Sequence, residues 1–394
     1  MTSSVSNSAC PEKQLLACCA RLQLDPQSKQ KIAELLKQNL DWDYVLDQAE
    51  ENSITPLVGR NLRAMVTDAV PAAAAERLKN ACRANTIRCL FLMAELIKIL
   101  ELFRSCGIQA IPYKGPVLAV QAYGDVTLRE FEDLDIVLRQ SDLPKAHELM
   151  LGLGYRPKFD WILSADAVSS TVPGEYNYRD EARRVMVELH TELTLRHFPR
   201  AADLGDLSQR LVPVNLNGHE VRTFSVEDGL PVLCIHGAKD FWERFSWIGD
   251  VSELVRRYPN LNWDATIQRA RALNAERMLY VGLSLAVELL DAPVPDEIRR
   301  RIQSDRVATE VASEITNRLM SFQYRSLDAP GRFNFRRRML PGTLEGWRYA
   351  MRLSVVPAEE DWQMMRLPGS LAPLYIVLRP LRLLRKYGWA GRRA

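Results

Sequence analysis

The stretch of sequence that decides the fold is Pro112–Leu138, PYKGPVLAVQAYGDVTLREFEDLDIVL. It ends with Asp133 and Asp135, which are separated by a single leucine and followed by the apolar run Ile136-Val137-Leu138. Because side chains alternate along a strand, the two carboxylates point to the same side of it. Carboxylates aimed at one point repel each other, and a cation between them removes the repulsion. The stretch therefore predicts a strand that carries a metal site.

Residues suited to phosphate binding precede the acidic pair. Lys114 stands beside Gly115, where the backbone can approach a ligand closely. Arg129 follows, and its planar guanidinium matches the geometry of a phosphate. An ordinary surface arginine is the alternative interpretation. Lysine, glycine, arginine and a carboxylate pair in this order favour binding of a nucleoside triphosphate together with its metal ion.

A third carboxylate is predicted on a later strand. Apolar and polar residues alternate in RVMVELHTEL, residues 184–193, which indicates a strand with one buried face. Glu188 lies on the polar face, and a carboxylate in mid-strand is uncommon because it is poorly suited to burial. A two-metal phosphoryl-transfer site needs carboxylates around ions that are about 3.5–4 Å apart. We therefore predict Asp133, Asp135 and Glu188 as metal ligands and catalytic residues, although an isolated Asp-x-Asp is more often a solvated strand end.

The composition is that of an ordinary globular protein, and its 394 residues are enough for two or three domains. The formal net charge is +3, but residues 331–394 hold thirteen Lys/Arg and four Asp/Glu, a balance of +9. The rest of the chain therefore carries about −6. Such a basic end is usually a solvated amphipathic helix, and contact with RNA or a membrane surface is the alternative interpretation.

Cysteine usage and hydropathy predict a cytoplasmic protein. The seven cysteines are odd in number and lack paired metal-ligand spacing, which is typical of reduced thiols. The N-terminus MTSSVSNSACPEKQ lacks the basic start and the apolar core of a signal peptide. The apolar runs fall short of the ~20 residues that a bilayer requires, so no transmembrane segment is expected.

The segment before the acidic strand is predicted to be helical. Residues 1–12 are Ser-rich and predicted to be disordered, whereas residues 13–106 repeat apolar residues at helical spacing. Asp41 is predicted to cap one helix, Pro56 to open the next, and Gly107 to end a long helix rich in alanine and leucine. These residues are predicted to form a helical domain in front of the sheet.

The segment over residues 107–225 predicts a small mixed sheet. The predicted strands are 108–113, 133–138 and 184–193, with a hairpin over 214–224 that turns at Asn217-Gly218. The predicted helices are 114–123 and 141–151, the second capped by Ser141.

Helices are predicted again after the sheet. Residues 226–325 are predicted to form a second helical domain that is capped at Ser225 and contains one long helix over 263–290. Residues 326–394 are predicted to be a basic extension that starts with a loop at 328–335. The predicted fold class is therefore α+β, a small mixed sheet flanked by N-terminal and C-terminal helical domains.

The order of these motifs resembles the nucleotidyltransferases of the DNA polymerase β superfamily. More closely, nearly the whole chain is similar to a bacterial branch described as uncharacterised nucleotidyltransferases. The matching segments are Tyr113-Lys114-Gly115, Arg129, Asp133–Val137, Val187–His190, Leu233–Lys239 and Trp247–Asp250, with Asp41-Trp42 and Ala49 in the N-terminal helices. The resemblance implies a Mg²⁺-dependent enzyme that moves a nucleoside monophosphate from a nucleoside triphosphate to an acceptor and releases pyrophosphate.

The chain departs from much of the superfamily in one motif. Many members carry Gly-Ser before the acidic pair, whereas this chain has Lys114-Gly115, as do its own branch and the related toxin nucleotidyltransferases. The resemblance implies that Lys114, Gly115 and Arg129 bind the nucleotide. By the same resemblance, Lys239 binds a phosphate and Asp250 acts as an orienter or base.

The expected cofactor is a pair of Mg²⁺ ions, with Mn²⁺ as a substitute, and ATP is favoured as the nucleotide. His190 and His236 are expected to be core or supporting histidines, because Mg²⁺ prefers oxygen ligands. The acceptor stays open between a small molecule, a peptide or protein hydroxyl and an RNA end, and so does the oligomeric state. The alternative functions are a toxin-like RNA-end-modifying nucleotidyltransferase and a non-catalytic interaction protein on the same fold.

Overall fold

The computed structural model of the protein describes residues 10–65, 69–158, 174–193, 207–321 and 326–356, together with 361, 364, 365, 367, 371 and 374–387. The helices before the sheet are α1 (Pro11–Cys19), α2 (Pro26–Leu35), α3 (Trp42–Glu51), α4 (Thr55–Ala64) and α5 (Ala72–Ser105). Asp41 caps α3 by accepting a hydrogen bond from the Tyr44 amide at 3.0 Å. Pro56 lies in the first turn of α4, and Gly107 follows α5 with a φ of +75°. The three predicted helix boundaries are confirmed.

Among the described residues, five strands form one mixed sheet in the order β1-β2-β5-β4-β3. The strands are β1 (Ile111–Pro112), β2 (Asp133–Val137), β3 (Arg156–Pro157), β4 (Glu175–Asp180) and β5 (Val185–His190). β2 runs parallel to β5, whereas the other neighbours are antiparallel. A separate hairpin, β6 (Val212–Leu216) and β7 (His219–Thr223), turns at Asn217-Gly218 as predicted. The α+β fold class is confirmed.

The connection between β1 and β2 is less regular than the single helix predicted over residues 114–123. It consists of a short helix α6 (Gly115–Leu118), a π-helix (Ala119–Tyr123) and a 3₁₀-helix (Val126–Leu128). Gly124 ends the π-helix with a φ of +76°. A π-helix holds one residue more per turn than an α-helix and is often found at functional sites. Its last residue, Tyr123, is buried in the core formed by the helices before and after the sheet.

The remaining helices are α7 (Leu143–Gly152), α8 (Val226–Lys239), α9 (Phe245–Arg257), α10 (Trp263–Ala272), α11 (Glu276–Leu290), α12 (Asp296–Ser304), α13 (Arg306–Met320), α14 (Ala329–Arg338), α15 (Thr343–Val355) and α16 (Tyr375–Tyr387). Helix α8 begins where the sequence predicted a cap, because the side chain of Ser225 accepts a hydrogen bond from the Asp228 amide. This cap fixes the start of the helix that carries Lys239.

Two predicted helices have different bounds in the structure. The helix predicted to start at Ser141 begins at Leu143, because residues 140–142 form a 3₁₀ turn before it. The single helix predicted over 263–290 is two helices, since Asn274 takes a left-handed φ of +54° between α10 and α11.

The loop predicted at residues 328–335 is wrong, because this segment forms most of helix α14. Asp328 caps the helix by accepting a hydrogen bond from the Gly331 amide at 2.8 Å, and Pro330 lies in the first turn. Phe335 is buried against the helices that precede it. A cap, a first-turn proline and one buried aromatic ring are therefore enough to make this arginine-rich segment helical.

The long helix α5 joins two hydrophobic cores. Its first half, with Ala74 and Leu78, packs with α1–α4 and with α8–α13 in one core. Its second half, from Cys89 to Phe103, packs with the sheet and α7 in another. The helices before and after the sheet therefore share a core, while the domain boundaries after 12, 106, 225 and 325 stay predictions.

The predicted disordered N-terminus is only partly described, because residues 1–9 lie outside the described part of the chain and α1 begins at Pro11. Over the residues described, no helix has both the length and the apolar composition that crossing a membrane requires.

Candidate active site

The parallel pairing of β2 with β5 brings three potential metal ligands to one face of the sheet. The register places Asp135 opposite Glu188 and Val137 opposite His190. One ligand atom from each of Asp135, Glu188 and His190 lies within 4.8 Å of the others. The imidazole Nε2 of His190 is 3.1 Å from Asp135 Oδ1 and 3.4 Å from Glu188 Oε2. The imidazole therefore bridges the two carboxylates, a contact that the sequence did not predict.

Asp133 lies at the start of β2, two residues before Asp135 and on the same face of the strand. Burial and the charge of Asp135 raise the pKa of Asp133 to about 7, and Glu188 contributes in the same direction. The three predicted carboxylates therefore act on one another electrostatically, although Asp133 lies outside the tight cluster. Repulsion of this kind is what a cation between carboxylates relieves.

Lys114 provides the positive charge nearest to the acidic cluster. Its ammonium Nζ donates a hydrogen bond to Asp135 Oδ1 at 2.9 Å. Burial disfavours the charged ammonium, but the carboxylates of Asp135 and Asp133 outweigh it and raise the pKa of Lys114. Burial alone would raise the pKa of Asp135, yet Lys114 and His190 hold it well below its usual range. Lys114 is thus the internal counter-ion of Asp135.

Gly115 allows the Lys114 turn to approach the acidic strand. Its φ of +53° is in the left-handed region, and a Cβ at this position would stand 3.3 Å from the carbonyl oxygen of Asp133. A larger residue would therefore be strained and crowded against β2. The predicted Lys-Gly pair does lie beside the acidic pair.

Lys239 reaches the same face of the sheet from helix α8. Its Nζ donates a hydrogen bond to Glu175 Oε2 at 2.9 Å, and Glu175 lies opposite His190 on β4. Burial works against the charge of Lys239, but Glu175 outweighs it and raises the pKa of the ammonium. The positive charge of Lys114 contributes weakly in the opposite direction.

Sequence reasoning missed two polar residues of β4. Glu175 pairs with Lys239, and Asn177 lies opposite Glu188 with its amide oxygen buried and without a hydrogen-bond partner among the described residues. The signal was the alternation in EYNYRD, where Tyr176 and Tyr178 are buried on one face and Glu175 and Asn177 lie on the other, opposite His190 and Glu188.

Arg129 and Asp250, predicted to contact the nucleotide and to orient the reactants, lie against each other. Arg129 donates from Nε and Nη2 to the two carboxylate oxygens of Asp250 at 2.8 and 2.9 Å, and both side chains are buried. The phenol of Tyr123 donates to Asp250 Oδ1 at 3.0 Å. Burial works against the charge of Arg129, but Asp250 outweighs it and raises the pKa of the guanidinium, with a smaller contribution from Asp133.

His236 lies on α8, three residues before Lys239. Burial and then the positive charge of Lys114 lower the pKa of His236 well below the ordinary value. Its ring packs edge-on against Trp247 with centroids 5.3 Å apart. Among the described residues, it is absent from the group with metal-ligand geometry. The side chain is partly exposed and its Nδ1 lies 3.5 Å from Asp240 Oδ2, so the core or supporting role expected from the sequence stays a prediction.

The fold and the site define a class of protein. A small mixed sheet presents an acidic pair on one strand, a further carboxylate on the parallel neighbour, and two lysines at the same face.

Residues 38–291 match the model of a family described as uncharacterised nucleotidyltransferase, and the chain therefore belongs to this family. The match covers every predicted site residue. No curated protein matches the chain. Family membership supports nucleotidyl transfer, with a nucleotide as substrate, as the general activity.

Proposed function

We propose that the protein is a Mg²⁺-dependent nucleotidyltransferase. It moves a nucleoside monophosphate from a nucleoside triphosphate, with ATP favoured, to a hydroxyl or phosphate of an acceptor and releases pyrophosphate. The observation that carries the proposal is the cluster of Asp135, Glu188 and His190 beside the Lys114 ammonium, in a chain of a nucleotidyltransferase family.

Asp133, Asp135 and Glu188 are the proposed metal ligands. Their oxygens are the donors that Mg²⁺ prefers. Burial and the charge of Asp135 raise the pKa of Asp133 to about 7, and a cation relieves the repulsion between the two carboxylates. The buried amide oxygen of Asn177 adds a neutral oxygen beside Glu188. Two Mg²⁺ ions, with Mn²⁺ as a substitute, neutralise phosphate charge when bound.

Lys114 and Lys239 are the proposed contacts to the triphosphate, because both carry a positive charge at the acidic face of the sheet. Gly115 lets the backbone beside Lys114 come close to the nucleotide. Arg129 completes this set, and Asp250 is its orienter, because a bidentate ion pair fixes the plane of the guanidinium.

In the proposed reaction, an oxygen of the acceptor attacks the α-phosphorus, and the bond from that phosphorus to the bridging oxygen of pyrophosphate breaks. Glu188 orients the acceptor hydroxyl and takes its proton. The electron pair leaves with pyrophosphate, whose negative charge Lys114 and Lys239 stabilise. Catalysis on this scheme consists of positioning and charge neutralisation.

A cytoplasmic location is part of the same proposal. All seven cysteines lie in the described part of the chain as free thiols, and three of them are buried. Free thiols are typical of a reducing compartment, in which nucleoside triphosphates are also available.

The test is incubation of the protein with each nucleoside triphosphate, labelled at the α-phosphorus, in the presence of Mg²⁺ and cell lysate. We expect transfer of label, release of pyrophosphate, and loss of both with a chelator or with Asp135→Asn. Sensitivity of the labelled product to nuclease, protease or solvent extraction separates RNA, protein and small-molecule acceptors. Absence of label transfer together with absence of nucleotide binding would contradict the proposal.

A further inference from the structure

Helix α16 turns its apolar residues outward. Val377, Leu381 and Leu384 recur at helical spacing, and the two leucines are 58% and 66% exposed. On the opposite face, Tyr375 and Arg379 are buried, the arginine to 4% exposure. A helix at the surface of a globular protein normally turns its apolar stripe toward the core, so this orientation needs an explanation.

Buried ion pairs fix the rotation of α16. Arg379 donates to Asp361 Oδ2 at 2.6 Å and to the carbonyl oxygen of Leu353 on α15 at 2.8 Å. Arg382 donates to the other oxygen of Asp361. Turning the leucines inward would carry both arginines away from this buried carboxylate, which would then lack a counter-ion. The exposure of Leu381 and Leu384 therefore follows from the ion pairs that hold α16 in place.

Helix α15 exposes a second apolar stripe. Leu344, Trp347 and Met351 lie at helical spacing, and Trp347 is 72% exposed. The opposite face is packed, because Tyr349 is buried and stacks on Phe333 with ring centroids 5.8 Å apart. We name the exposed residues of the two helices, Leu344, Trp347, Met351, Val377, Leu381 and Leu384, the C-terminal apolar surface.

The positive charge around the C-terminal apolar surface favours a negatively charged partner. Residues 331–394 carry a balance of +9, and Arg352 and Arg385 are exposed on the two helices that bear the apolar residues. Arg348 is exposed as well, but it donates a hydrogen bond to Glu345 at 2.6 Å. A contact between two copies through this surface would bring two basic ends together, and like charges repel. Helices α15 and α16 contact each other. A bilayer with anionic lipids offers acyl chains to their exposed apolar residues and negative phosphates to the neighbouring arginines.

We propose that the C-terminal apolar surface lies on an anionic bilayer. The apolar residues enter the boundary between headgroups and acyl chains, Trp347 sits at the level of the headgroups, and the exposed arginines contact lipid phosphates. Helix α16 has 13 residues, fewer than the ~20 that span a bilayer, so it lies in the plane of the surface. This contact is independent of the proposed transfer reaction.

The test uses the full chain and vesicles of two compositions, phosphatidylcholine alone and an equal mixture of phosphatidylcholine and phosphatidylglycerol. We expect the protein to sediment with the mixed vesicles and to dissociate from them at high salt. The variant that combines Trp347→Ser, Leu381→Ser and Leu384→Ser should bind at least about tenfold more weakly. The matched control is Ile87→Ser with Leu90→Ser on α5, where residues of comparable exposure are replaced and binding should not change.

A second readout locates the contact. Lipids brominated in the acyl chain should quench part of the tryptophan fluorescence, and Trp347→Phe should remove that part while vesicle binding persists. Failure of the wild-type protein to sediment with the mixed vesicles would overturn the proposal. So would a dimer in analytical ultracentrifugation that the triple variant abolishes, or an RNA oligonucleotide that binds this surface and displaces the vesicles.

Discussion

The acidic face of the sheet and the C-terminal apolar surface differ in which side chains are buried and which are exposed. At the sheet, the ion pairs of Lys114 with Asp135 and of Arg129 with Asp250 are buried, and the partly exposed Lys239 is held by Glu175. At the C-terminal helices, leucines and a tryptophan are exposed while Arg379 and Arg382 turn inward to Asp361. Burying charge and exposing apolar area both oppose stability unless a partner compensates. The difference therefore separates a site built for a charged ligand from a surface built for an apolar one.

The largest expected effect is that of Asp135→Asn. It removes a proposed metal ligand, and we expect the rate of nucleotidyl transfer to fall by a factor of about 10³ or more. It also leaves the buried Lys114 ammonium without its carboxylate, so the free energy of unfolding should fall by roughly 3 kcal/mol. Denaturant unfolding and label transfer measure the two effects. A variant with full activity would show that the carboxylate is structural only.

Lys114→Ala tests whether the Lys114 ammonium binds the nucleotide and neutralises Asp135. Loss of a charge-assisted contact is worth about 1.5–3 kcal/mol, which corresponds to ~10- to 150-fold weaker nucleotide binding. Because Asp135 then loses its nearest cation, we expect Mn²⁺ to bind more tightly than in the wild type. Titration calorimetry with a non-hydrolysable nucleotide and with Mn²⁺ measures both.

Lys114→Arg is the control for this pair of titrations. A planar guanidinium does not replace a point charge, so it should restore nucleotide binding poorly while keeping Asp135 neutralised. Equal nucleotide affinities in all three proteins would place Lys114 outside the nucleotide site.

Asp133→Asn should have the opposite effect on stability from Asp135→Asn. The pKa of Asp133 is raised from 3.8 to about 7 in the folded protein, so folding binds a proton between these values and stability falls as the pH rises through them. Asparagine removes this dependence, and at pH 8 the variant should be more stable by on the order of 1–3 kcal/mol. Unfolding at pH 5 and pH 8 without divalent cations measures the change. A variant less stable than wild type at pH 8 would contradict the proposed repulsion.

The smallest expected effect concerns the C-terminal apolar surface. Leu381→Ser replaces an exposed residue, so the free energy of unfolding should change by less than about 0.5 kcal/mol. Tyr349→Ala on the packed face of α15 should lower it by about 3 kcal/mol or more. Denaturant unfolding of both variants checks the contrast. A large loss from Leu381→Ser would show that the leucine is packed in solution.

The sequence predicted the features that depend on nearby residues. Caps at Asp41 and Ser225, the stop at Gly107 and the Asn217-Gly218 turn are confirmed, because each acts within a few residues of itself. The alternation around Glu188 also placed this carboxylate on the face of the sheet that carries Asp135. Local periodicity and turn chemistry therefore predict elements and the directions of side chains.

Contacts between distant residues were not predictable in the same way. The pairing of Arg129 with Asp250 joins residues 121 positions apart, and that of Glu175 with Lys239 joins residues 64 apart. These partners are set by how α8 packs against the sheet and α9 against the π-helix, which periodicity does not encode. The helix at residues 329–338 was missed because a single buried ring, Phe335, gives no repeating apolar pattern.

Because of the π-helix at Ala119–Tyr123, the position of the Tyr123 side chain depends on the number of residues in this turn. Because this turn holds one residue more than an α-helical turn, a single deletion can restore regular helical bonding there without loss of secondary structure. The residue at its end would then rotate by about 100° around the helix axis, which would take the Tyr123 phenol away from Asp250. Relatives that are one residue shorter between Gly115 and Gly124 should therefore also have replaced the tyrosine or the aspartate.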